Sequence, residues 1–280
     1  MTIKFAKLQA TGNDFVLIQP DEERNWSMVA RDMCHRHFGV GADGLIIWIP
    51  SMVADMGMRL FNPDGSEAEV CGNGLRCLAR YAVEHGLVDK GEIYVETTGG
   101  IRAVRIQGEL FQVDMGTPVL QPASIPMNVD KNIDIIVDYP VKIQGSDLSL
   151  TCLSMGNPHA VCFLEEPVAR FPLSEMGPQV ENLEIFPNRV NFEIANVLGP
   201  QRIIARVWER GVGETMSCGT GACAIVVAAR MHSWVDDEVD VILPGGMLTI
   251  SWDGAGTVKL RGPAEMVFHG EWHEPDESTA

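Results

Sequence analysis

The sequence predicts an α+β fold of two similar domains, in each of which a mostly antiparallel, barrel-like sheet wraps around one apolar helix. Three observations lead to this prediction. Short runs of alternating or β-branched residues recur along the whole chain, and Gly- and Pro-rich turns separate them. Helical patterns are few, and two of them are apolar on nearly every side. A pair of short motifs also occurs twice in the same order, which indicates an internal repeat.

Strands are predicted where an apolar or alternating run is bounded by turn residues such as Pro63-Asp64-Gly65 or Thr98-Gly99-Gly100. The N-terminus leads directly into such a run. The other predicted strands are Phe15–Ile18, Gly44–Ile49, Met58–Phe61, Ile93–Thr97, Ile101–Ile106, Leu110–Met115, Leu148–Leu153, Ala160–Leu164, Arg202–Trp208, Glu238–Leu243, Leu248–Trp252 and Thr257–Gly262.

Helices are predicted over Met28–Phe38, Gly74–His85 and Gly219–Met231. The last two are apolar nearly all round and should therefore be buried. Within the first, Cys34-His35-Arg36-His37 looks like a fragment of a metal site, but no second ligand pair accompanies it. We therefore expect this segment to be the end of an amphipathic helix, and we expect no metal.

The internal repeat comprises two motifs. Gly12-Asn13-Asp14-Phe15 has a partner in Gly156-Asn157-Pro158-His159, and Cys71-Gly72-Asn73-Gly74 has one in Cys218-Gly219-Thr220-Gly221. The nearly constant spacing indicates a duplicated unit. We predict an N-terminal domain of residues 1–117 plus 264–280 and a C-terminal domain of residues 118–263. Residues 264–270 are expected to return to the first domain as an edge strand, and residues 271–280 to form a frayed acidic tail.

Composition limits the possible partners. The 280 residues carry a net charge of −17, which repels the phosphate backbone of nucleic acids and anionic membranes. No apolar stretch is long enough to span a bilayer, and the N-terminus has no signal-peptide pattern. We expect a cytoplasmic protein that binds neither nucleic acid nor membrane. The seven cysteines are expected to be reduced there, and most to be small buried side chains; Cys77 and Cys223, inside the apolar helices, belong to that group.

Cys71 and Cys218 each precede small residues and an apolar helix. Unpaired N–H groups and the helix dipole at such a position favour an anion, so we expect a lowered thiol pKa. The following glycines would let a ligand carboxylate approach the backbone. Either motif alone is also compatible with a tight turn around a buried thiol. A cysteine with His159 nearby is compatible with a cysteine protease or transferase, in which the thiol is a nucleophile.

Two such thiols in repeated halves predict different chemistry from one. If the halves pack face to face, the sulfur atoms flank one carbon from opposite sides. A thiolate then removes a proton from one face while a thiol delivers a proton to the other, as in a two-base racemase or epimerase.

At these residues the chain resembles the diaminopimelate epimerase family, and the resemblance runs its whole length. The motifs that carry it are Phe5-Ala6-Lys7, Gly12-Asn13-Asp14-Phe15, Gly39-Val40-Gly41-Ala42-Asp43-Gly44, Phe61-Asn62-Pro63-Asp64-Gly65-Ser66, Cys71-Gly72-Asn73-Gly74-Leu75-Arg76-Cys77, Ser154-Met155-Gly156-Asn157-Pro158-His159, Glu209-Arg210-Gly211-Val212-Gly213-Glu214-Thr215 and Cys218-Gly219-Thr220-Gly221-Ala222-Cys223. The Gly-Asn-Asp-Phe and Gly-Asn-Pro-His motifs separate it from proline racemases, which it also resembles.

The resemblance implies two domains related by a pseudo-two-fold axis and a homodimer. It implies cofactor-independent interconversion of LL- and meso-2,6-diaminopimelate, a precursor of lysine and peptidoglycan. Cys71 and Cys218 would be the catalytic thiols, and His159 and Glu209 would modulate their pKa values. Substrate contacts are implied for Asn13, Asn62, Gly72, Asn73, Asn157, Asn191, Glu209, Arg210, Gly219 and Thr220.

Two departures from the family pattern bear on this. Gly44 stands where some members have Gln, so that side-chain contact is absent. Phe268 stands where some have Tyr at a dimer contact, so packing is possible there but a hydroxyl hydrogen bond is not. The alternatives are a proline or hydroxyproline racemase and a non-catalytic amino-acid-binding protein on the same fold. Asn62, Asn191 and Arg210 argue against a proline racemase, because proline has no distal carboxylate.

Overall fold

The computed structural model describes residues 2–68, 71–88 and 91–274, and the chain divides into two compact units. Unit 1 comprises Met1–Val113 and Gly262–Ala280, and unit 2 comprises Asp114–Arg261. The domain boundaries after residues 117 and 263 stay predictions from the sequence.

The described elements run in chain order as follows: β1 (Thr2–Ala10), β2 (Asn13–Ile18), α1 (Trp26–Cys34), β3 (Gly44–Ile49), β4 (Met56–Phe61), β5 (Glu67–Ala68), α2 (Gly72–Glu84), β6 (Glu92–Thr97), β7 (Gly100–Gln107), β8 (Leu110–Gly116), β9 (Ile136–Ile143), β10 (Ser146–Ser154), β11 (Pro158–Phe163), α3 (Leu173–Glu181), β12 (Asn191–Gly199), β13 (Arg202–Glu209), β14 (Gly213–Thr215), α4 (Gly219–Met231), β15 (Glu238–Leu243), β16 (Gly246–Ser251), β17 (Val258–Pro263) and β18 (Glu265–His273). Short 3₁₀ helices cover Pro122–Ser124 and Val168–Arg170.

Unit 1 is a mixed sheet in which neighbouring strands follow the order β18–β1–β2–β3–β4–β6–β7–β8. The pairs β2–β3 and β4–β6 are parallel, and the other neighbours are antiparallel. The short strand β5 forms a hairpin with β4. As predicted from the sequence, the segment from Glu265 onward returns to this unit and pairs with β1.

Unit 2 has the same topology. Its strands follow the order β9–β10–β11–β12–β13–β15–β16–β17, with β11–β12 and β13–β15 parallel and β14 in a hairpin with β13. The parallel and antiparallel pairs follow one another in the same order in the two units. The repeat predicted from the motifs is therefore confirmed. In unit 1, β18 occupies the position that β9 occupies in unit 2, although β18 comes from the far end of the chain.

One buried helix lies against each sheet. α2 contacts β1, β2, β3, β7 and β18, and α4 contacts β10, β11, β12, β15 and β16. Each helix has 13 residues, most of them buried, and Cys77 and Cys223 are fully buried within them. This confirms the burial predicted from their apolar composition.

Three of the longer elements were not predicted, and neither were the short strands β5 and β14 or the two 3₁₀ helices. β9 contains Pro140, β12 carries Asn191 and Glu193 on a buried stretch, and α3 contains Pro178. Proline and buried polar residues interrupt the apolar periodicity on which the prediction depends.

Two predicted element ends differ from the described structure by more than two residues. Helix α1 ends at Cys34, and His35 is extended because its Nδ1 accepts the backbone N–H groups of His37 and Phe38. The segment that contains these histidines is therefore a turn and not the end of a helix. The tail was expected to fray from residue 271, but β18 pairs with β1 as far as His273. Residues 275–280 lie outside the described residues. No helix in the described ranges is long and apolar enough to cross a bilayer.

Helix α3 packs on β13 through a glycine. A Cβ atom at Gly177 would lie 2.6 Å from Cγ of Trp208, closer than real Cβ contacts. We predict that Gly177→Ala lowers the free energy of unfolding by about 1–3 kcal/mol, the usual result of overpacking. Urea denaturation followed by tryptophan fluorescence measures this.

The matched control is Gly199→Ala in the same unit, where nothing lies within 4 Å of the added Cβ. It should change the free energy of unfolding by less than about 0.5 kcal/mol. Equal midpoints for the two variants would contradict the packing assigned to Gly177.

Candidate functional site

Cys71 is the N-cap of helix α2, with extended backbone at φ −137° and ψ 115°. Cys71 is half-buried, whereas the first residues of the helix, from Gly72 to Gly74, are buried. Because the amides of a first helical turn have no partner within the helix, they can donate to an anion beside the sulfur.

Asn13 and Asn73 meet next to this N-terminus. Asn73 Nδ2 donates to Asn13 Oδ1 at 3.0 Å, and Asn13 Nδ2 donates to Asp43 Oδ2 at 2.7 Å. Asn73 is 2% exposed, and its Oδ1 has no hydrogen-bond partner among the described residues. The two amides are therefore oriented before any ligand arrives, and one buried acceptor remains available.

A network of charged side chains holds Asp43 and Asp14. Arg36 donates to Asp43 Oδ1 at 2.6 Å and to Asp14 Oδ1 at 2.8 Å, and the buried Lys7 pairs with Asp14. Burial raises the pKa of Asp14, but Arg36 and Lys7 outweigh burial and lower it overall. Lys7, Asp14 and Asp43 were not singled out as site residues from the sequence, although all three lie in family motifs.

Asn62 makes its described side-chain contact within its own turn. It is exposed in the turn after β4, where its Nδ2 donates to Ser66 Oγ at 2.9 Å. Of the predicted residues in unit 1, the described hydrogen bonds join Asn13 to Asn73 and leave Asn62 in contact with its own turn.

Cys218 is the N-cap of helix α4, with φ −121° and ψ 117°, close to the backbone angles of Cys71. Its Sγ accepts the N–H of Gly221 at 3.4 Å and lies 3.4 Å from Oγ1 of Thr220. Unlike Cys71, Cys218 is buried. The repeat therefore places both thiols at the same structural position but in different surroundings.

The lowered thiol pKa expected from the helix N-terminus is wrong for Cys218. Burial raises the pKa of Cys218 well above its ordinary value, and the nearby carboxyl groups of Glu209 and Glu193 raise it further. Hydrogen bonds from Thr220 and Gly221 lower it, but by less. Removing an anion from water costs more than the end of one helix returns. Cys218 is therefore a thiol, able to donate a proton.

Glu209 lies at the end of β13 and shares a hydrogen bond with the Cys218 thiol. Its Oε1 also accepts the hydroxyl hydrogen of Thr215, the last residue of β14. Burial raises the pKa of Glu209, while the Thr215 and Cys218 hydrogen bonds partly offset the rise. The short hairpin of β13 and β14 thus fixes this carboxyl group beside the sulfur.

His159 is fully buried on β11. Its Nδ1 lies 2.7 Å from Oε1 of Glu193, and its Nε2 lies 2.9 Å from Oδ1 of Asn157. Glu193, on the neighbouring strand β12, was not predicted as a site residue. A charged residue inside a buried strand was the one available signal, but it was hidden because β12 itself was not predicted.

The side chain of Asn191 bonds the backbone of both Pro158 and Arg210. Asn191 Nδ2 donates to the carbonyl of Pro158 at 2.9 Å, and its Oδ1 accepts the N–H of Arg210 at 2.9 Å. The Arg210 guanidinium donates to the carbonyl of Asn188 at 3.0 Å. The following residue, Gly211, donates its N–H to Glu181 at 2.9 Å, so α3 also anchors this loop. An oriented guanidinium of this kind suits a carboxylate.

The hydrogen-bond network of unit 2 thus brings together most of the residues predicted there. Cys218, Thr220 and Glu209 form one group, Asn157 and His159 a second, and Asn191 with Arg210 a third. Glu193 lies close to the first of these groups as well as the second, since its Oε1 would be 2.9 Å from a Cβ atom at Gly221.

Sequence comparison identifies the family. The sequence model of the family described as diaminopimelate epimerase matches residues 5–121 and 151–267. The diaminopimelate epimerase of Acetivibrio thermocellus is 44% identical over 277 residues, covering 96% of this chain and 98% of the relative. That of Moorella thermoacetica is 45% identical over 277 residues, covering 96% and 98%. That of Alkalilimnicola ehrlichii is 44% identical over 281 residues, covering 97% and 99%.

Solved structures share the fold at low identity. A PhzF-family phenazine biosynthesis protein of Bacillus anthracis has a TM-score of 0.73 at 19% identity, covering 98% of this chain and all of the other. A hydroxyproline epimerase from Agrobacterium vitis has a TM-score of 0.69 at 13% identity, covering 96% of this chain and 92% of the other. These confirm the predicted two-domain α+β fold. Because the family model matches most of the chain and relatives of 44–45% identity cover 96% of it, the chain belongs to the diaminopimelate epimerase family.

Proposed function

We propose that this protein epimerises 2,6-diaminopimelate, interconverting the LL and meso forms with two thiols and no organic cofactor. The observation that carries the proposal is the occurrence of Cys71 and Cys218 as N-caps of equivalent buried helices, in a chain that belongs to this family. The full-length relatives that bear the name diaminopimelate epimerase support the substrate.

In the proposed reaction, one sulfur is a thiolate and removes the α-hydrogen as a proton. The electron pair of the broken C–H bond moves into the adjacent carboxylate, which becomes an enediolate. The N–H groups of Gly72 and Asn73, or of Gly219 and Thr220, lie in the first turns of their helices and can stabilise that negative charge.

The other sulfur is a thiol and delivers its proton to the opposite face of the same carbon. The carbon is thereby inverted, the first sulfur ends as a thiol and the second as a thiolate. The raised pKa of Cys218 supports its part as the acid at the start of one direction of the reaction. The second direction starts from the opposite protonation states, as microscopic reversibility requires.

Substrate binding is proposed for the polar side chains around each helix N-terminus. Arg210 would clamp a carboxylate, and Glu209 would meet an ammonium group. Asn13, Asn62, Asn157 and Asn191 offer both a donor and an acceptor, which suits a group that carries a carboxylate and an ammonium. His159 acts in this proposal through Asn157 and Glu193, which its ring contacts directly.

Both thiols are required by this mechanism. We predict that Cys71→Ala and Cys218→Ala each lower kcat for epimerisation roughly 10²–10⁴-fold, the usual contribution of general acid–base catalysis. Each variant keeps one thiol that reaches one face of the carbon. We therefore expect Cys71→Ala and Cys218→Ala to exchange the α-hydrogen of different stereoisomers with D₂O, which mass spectrometry measures.

Matched controls lie on the same two helices. Cys77→Ala and Cys223→Ala remove buried thiols from α2 and α4 and should retain at least about half the activity if the fold survives, because neither thiol is part of the mechanism. Full epimerisation by either N-cap variant would rule out the two-thiol scheme.

Arg210 is proposed to bind the substrate without taking part in proton transfer. We predict that Arg210→Lys raises KM roughly 10- to 100-fold, because the bidentate hydrogen bonds to a carboxylate are lost, and lowers kcat much less. Steady-state kinetics measure both constants. Arg189→Lys, which alters a neighbouring and mostly exposed guanidinium paired with Glu181, is the control and should leave KM within about twofold. An unchanged KM in Arg210→Lys would contradict the clamp.

We further propose a homodimer that uses the face of β18. Val267 and Phe268 expose apolar side chains on this strand, and the Phe268 ring packs edge-on against Phe5 at 5.9 Å. Sedimentation equilibrium should give twice the mass of the chain for the natural protein and the monomer mass for Phe268→Asp, because a carboxylate cannot be buried there without a partner. A dimer that survives this change would place the interface elsewhere.

The protein is proposed to act in the cytoplasm, where thiols stay reduced. Its product would serve lysine and peptidoglycan precursor synthesis. The shared fold of the hydroxyproline epimerase comes at 13% identity and does not favour that substrate.

A further inference from the structure

Glu193 is a fully buried carboxyl group to which the family resemblance assigned no role. Its Oε1 lies 2.7 Å from His159 Nδ1, and its Oε2 has no hydrogen-bond partner within the described part of the chain. A fully buried, ionised carboxylate with one oxygen unpaired by protein groups is costly, so the neutral acid is favoured unless a cation balances it. Burial accordingly raises the pKa of Glu193, although His159 offsets part of the rise.

The contacts of His159 determine where its protons lie. Nε2 faces Oδ1 of Asn157, which can only accept, so Nε2 must carry a hydrogen. Nδ1 faces the Glu193 carboxyl oxygen, and a hydrogen bond at 2.7 Å requires one more proton between the two groups. Whether this proton is bonded to nitrogen or to oxygen, Glu193 and His159 together hold it, and the pair is neutral overall.

The same carboxyl group lies against the first turn of helix α4. Glu193 Oε1 would be 2.9 Å from a Cβ atom at residue 221, and the N–H of Gly221 donates to the sulfur of Cys218. A side chain at position 221 would require the Glu193 carboxyl group to shift, so glycine there lets the carboxyl group lie directly against the helix. A negative charge on Glu193 would therefore act directly on the N-cap thiol through a low-dielectric region.

We infer that Glu193 is a positioning residue for the epimerisation: the proton it shares with His159 fixes the orientation of the Asn157 amide and keeps the Glu193–His159 pair beside Cys218 neutral overall. With Oδ1 held by His159, the Nδ2 group of Asn157 is directed away from the ring as a donor for a carboxylate. The inference rests on the proposed function and adds a residue to its machinery.

Among the residues that the structure describes, the titratable groups that face Glu193 come from four elements. They are Cys152 on β10, His159 on β11, Glu209 on β13 and Cys218 at the start of α4. His159 alone among them can neutralise a carboxylate. Loss of the shared proton at alkaline pH would therefore leave an uncompensated negative charge on Glu193, which opposes formation of the Cys218 thiolate.

Two substitutions separate the positioning effect from the charge effect. In Glu193→Gln, the amide can donate to His159 Nδ1, so Asn157 keeps its orientation, but no proton is shared and no charge can form. In Glu193→Leu, the hydrogen bond itself is lost. Glu96→Gln is the control for the charge change, because Glu96 is a half-buried carboxyl group of unit 1 that bonds Ser51.

We expect Glu193→Gln to keep KM for diaminopimelate within about threefold, and Glu193→Leu to raise it roughly tenfold, the size of one hydrogen bond to a charged group. At alkaline pH, iodoacetamide should alkylate Cys218 of Glu193→Gln roughly three- to tenfold faster than Cys218 of the natural protein, since a like charge has been removed. Peptide mass spectrometry assigns the alkylated cysteine. Glu96→Gln should match the natural protein in both measurements.

Identical alkylation profiles against pH for Glu193→Gln and the natural protein would overturn the inference, and so would an unchanged KM in Glu193→Leu. The alkylation measurement needs no substrate, so it tests Glu193 even if the natural protein fails to epimerise diaminopimelate and the proposed function is wrong.

A measurement on the natural protein covers the case in which the variants do not fold. In ¹⁵N spectra of histidine-labelled protein, one of the seven histidines should carry a slowly exchanging Nε2 proton at neutral pH, as a fully buried ring requires. If no histidine shows such a protected Nε2 proton, the hydrogen bond from His159 to Asn157 is absent and the inference is wrong.

Discussion

The conflict between a helix N-terminus and a buried carboxyl-rich environment governs the chemistry available to Cys218. The N–H of Gly221 and the hydroxyl of Thr220 favour a thiolate. Burial, Glu209 and Glu193 oppose it and prevail, so the pKa of Cys218 is raised. A helix end contributes about 0.3–1 kcal/mol in ordinary settings, which is small beside the desolvation of a buried anion. In the proposed reaction, the protonated sulfur of Cys218 would therefore be the acid at the start of one direction.

The two units repeat one scaffold, but the residues around the two N-cap cysteines differ. Both N-cap cysteines have extended backbone and precede a helix of 13 residues. Around Cys71 the neighbours are oriented amides, Asn13 and Asn73, backed by a network of aspartates with Lys7 and Arg36. Around Cys218 they are carboxyl groups. In the proposed reaction, such different surroundings would let one thiol start as the acid and the other as the base.

Much of this organisation was predictable, and the failures have physical causes. The repeated Cys-Gly-x-Gly motif sufficed to locate both helices, because glycines before an apolar run mark a buried N-terminus. Periodicity failed at β12, where the buried Asn191 and Glu193 interrupt the apolar pattern, and at α3, where Pro178 does. The expected lowering of the thiol pKa was wrong for Cys218, because burial of the sulfur raises that pKa. Local sequence reveals the helix dipole, but the carboxyl groups that overcome it come from strands β12 and β13, more distant in the chain.

The most direct test of two-base inversion uses the natural protein and LL-diaminopimelate in D₂O, stopped after a few per cent of conversion. Two separate bases require that the meso product carry one α-deuterium, taken from the second thiol, and that unreacted LL-diaminopimelate carry none. Mass spectrometry of the separated isomers measures both. A meso product that retains the α-hydrogen of its substrate would mean that a single group had carried the proton from one face to the other, and would contradict the account.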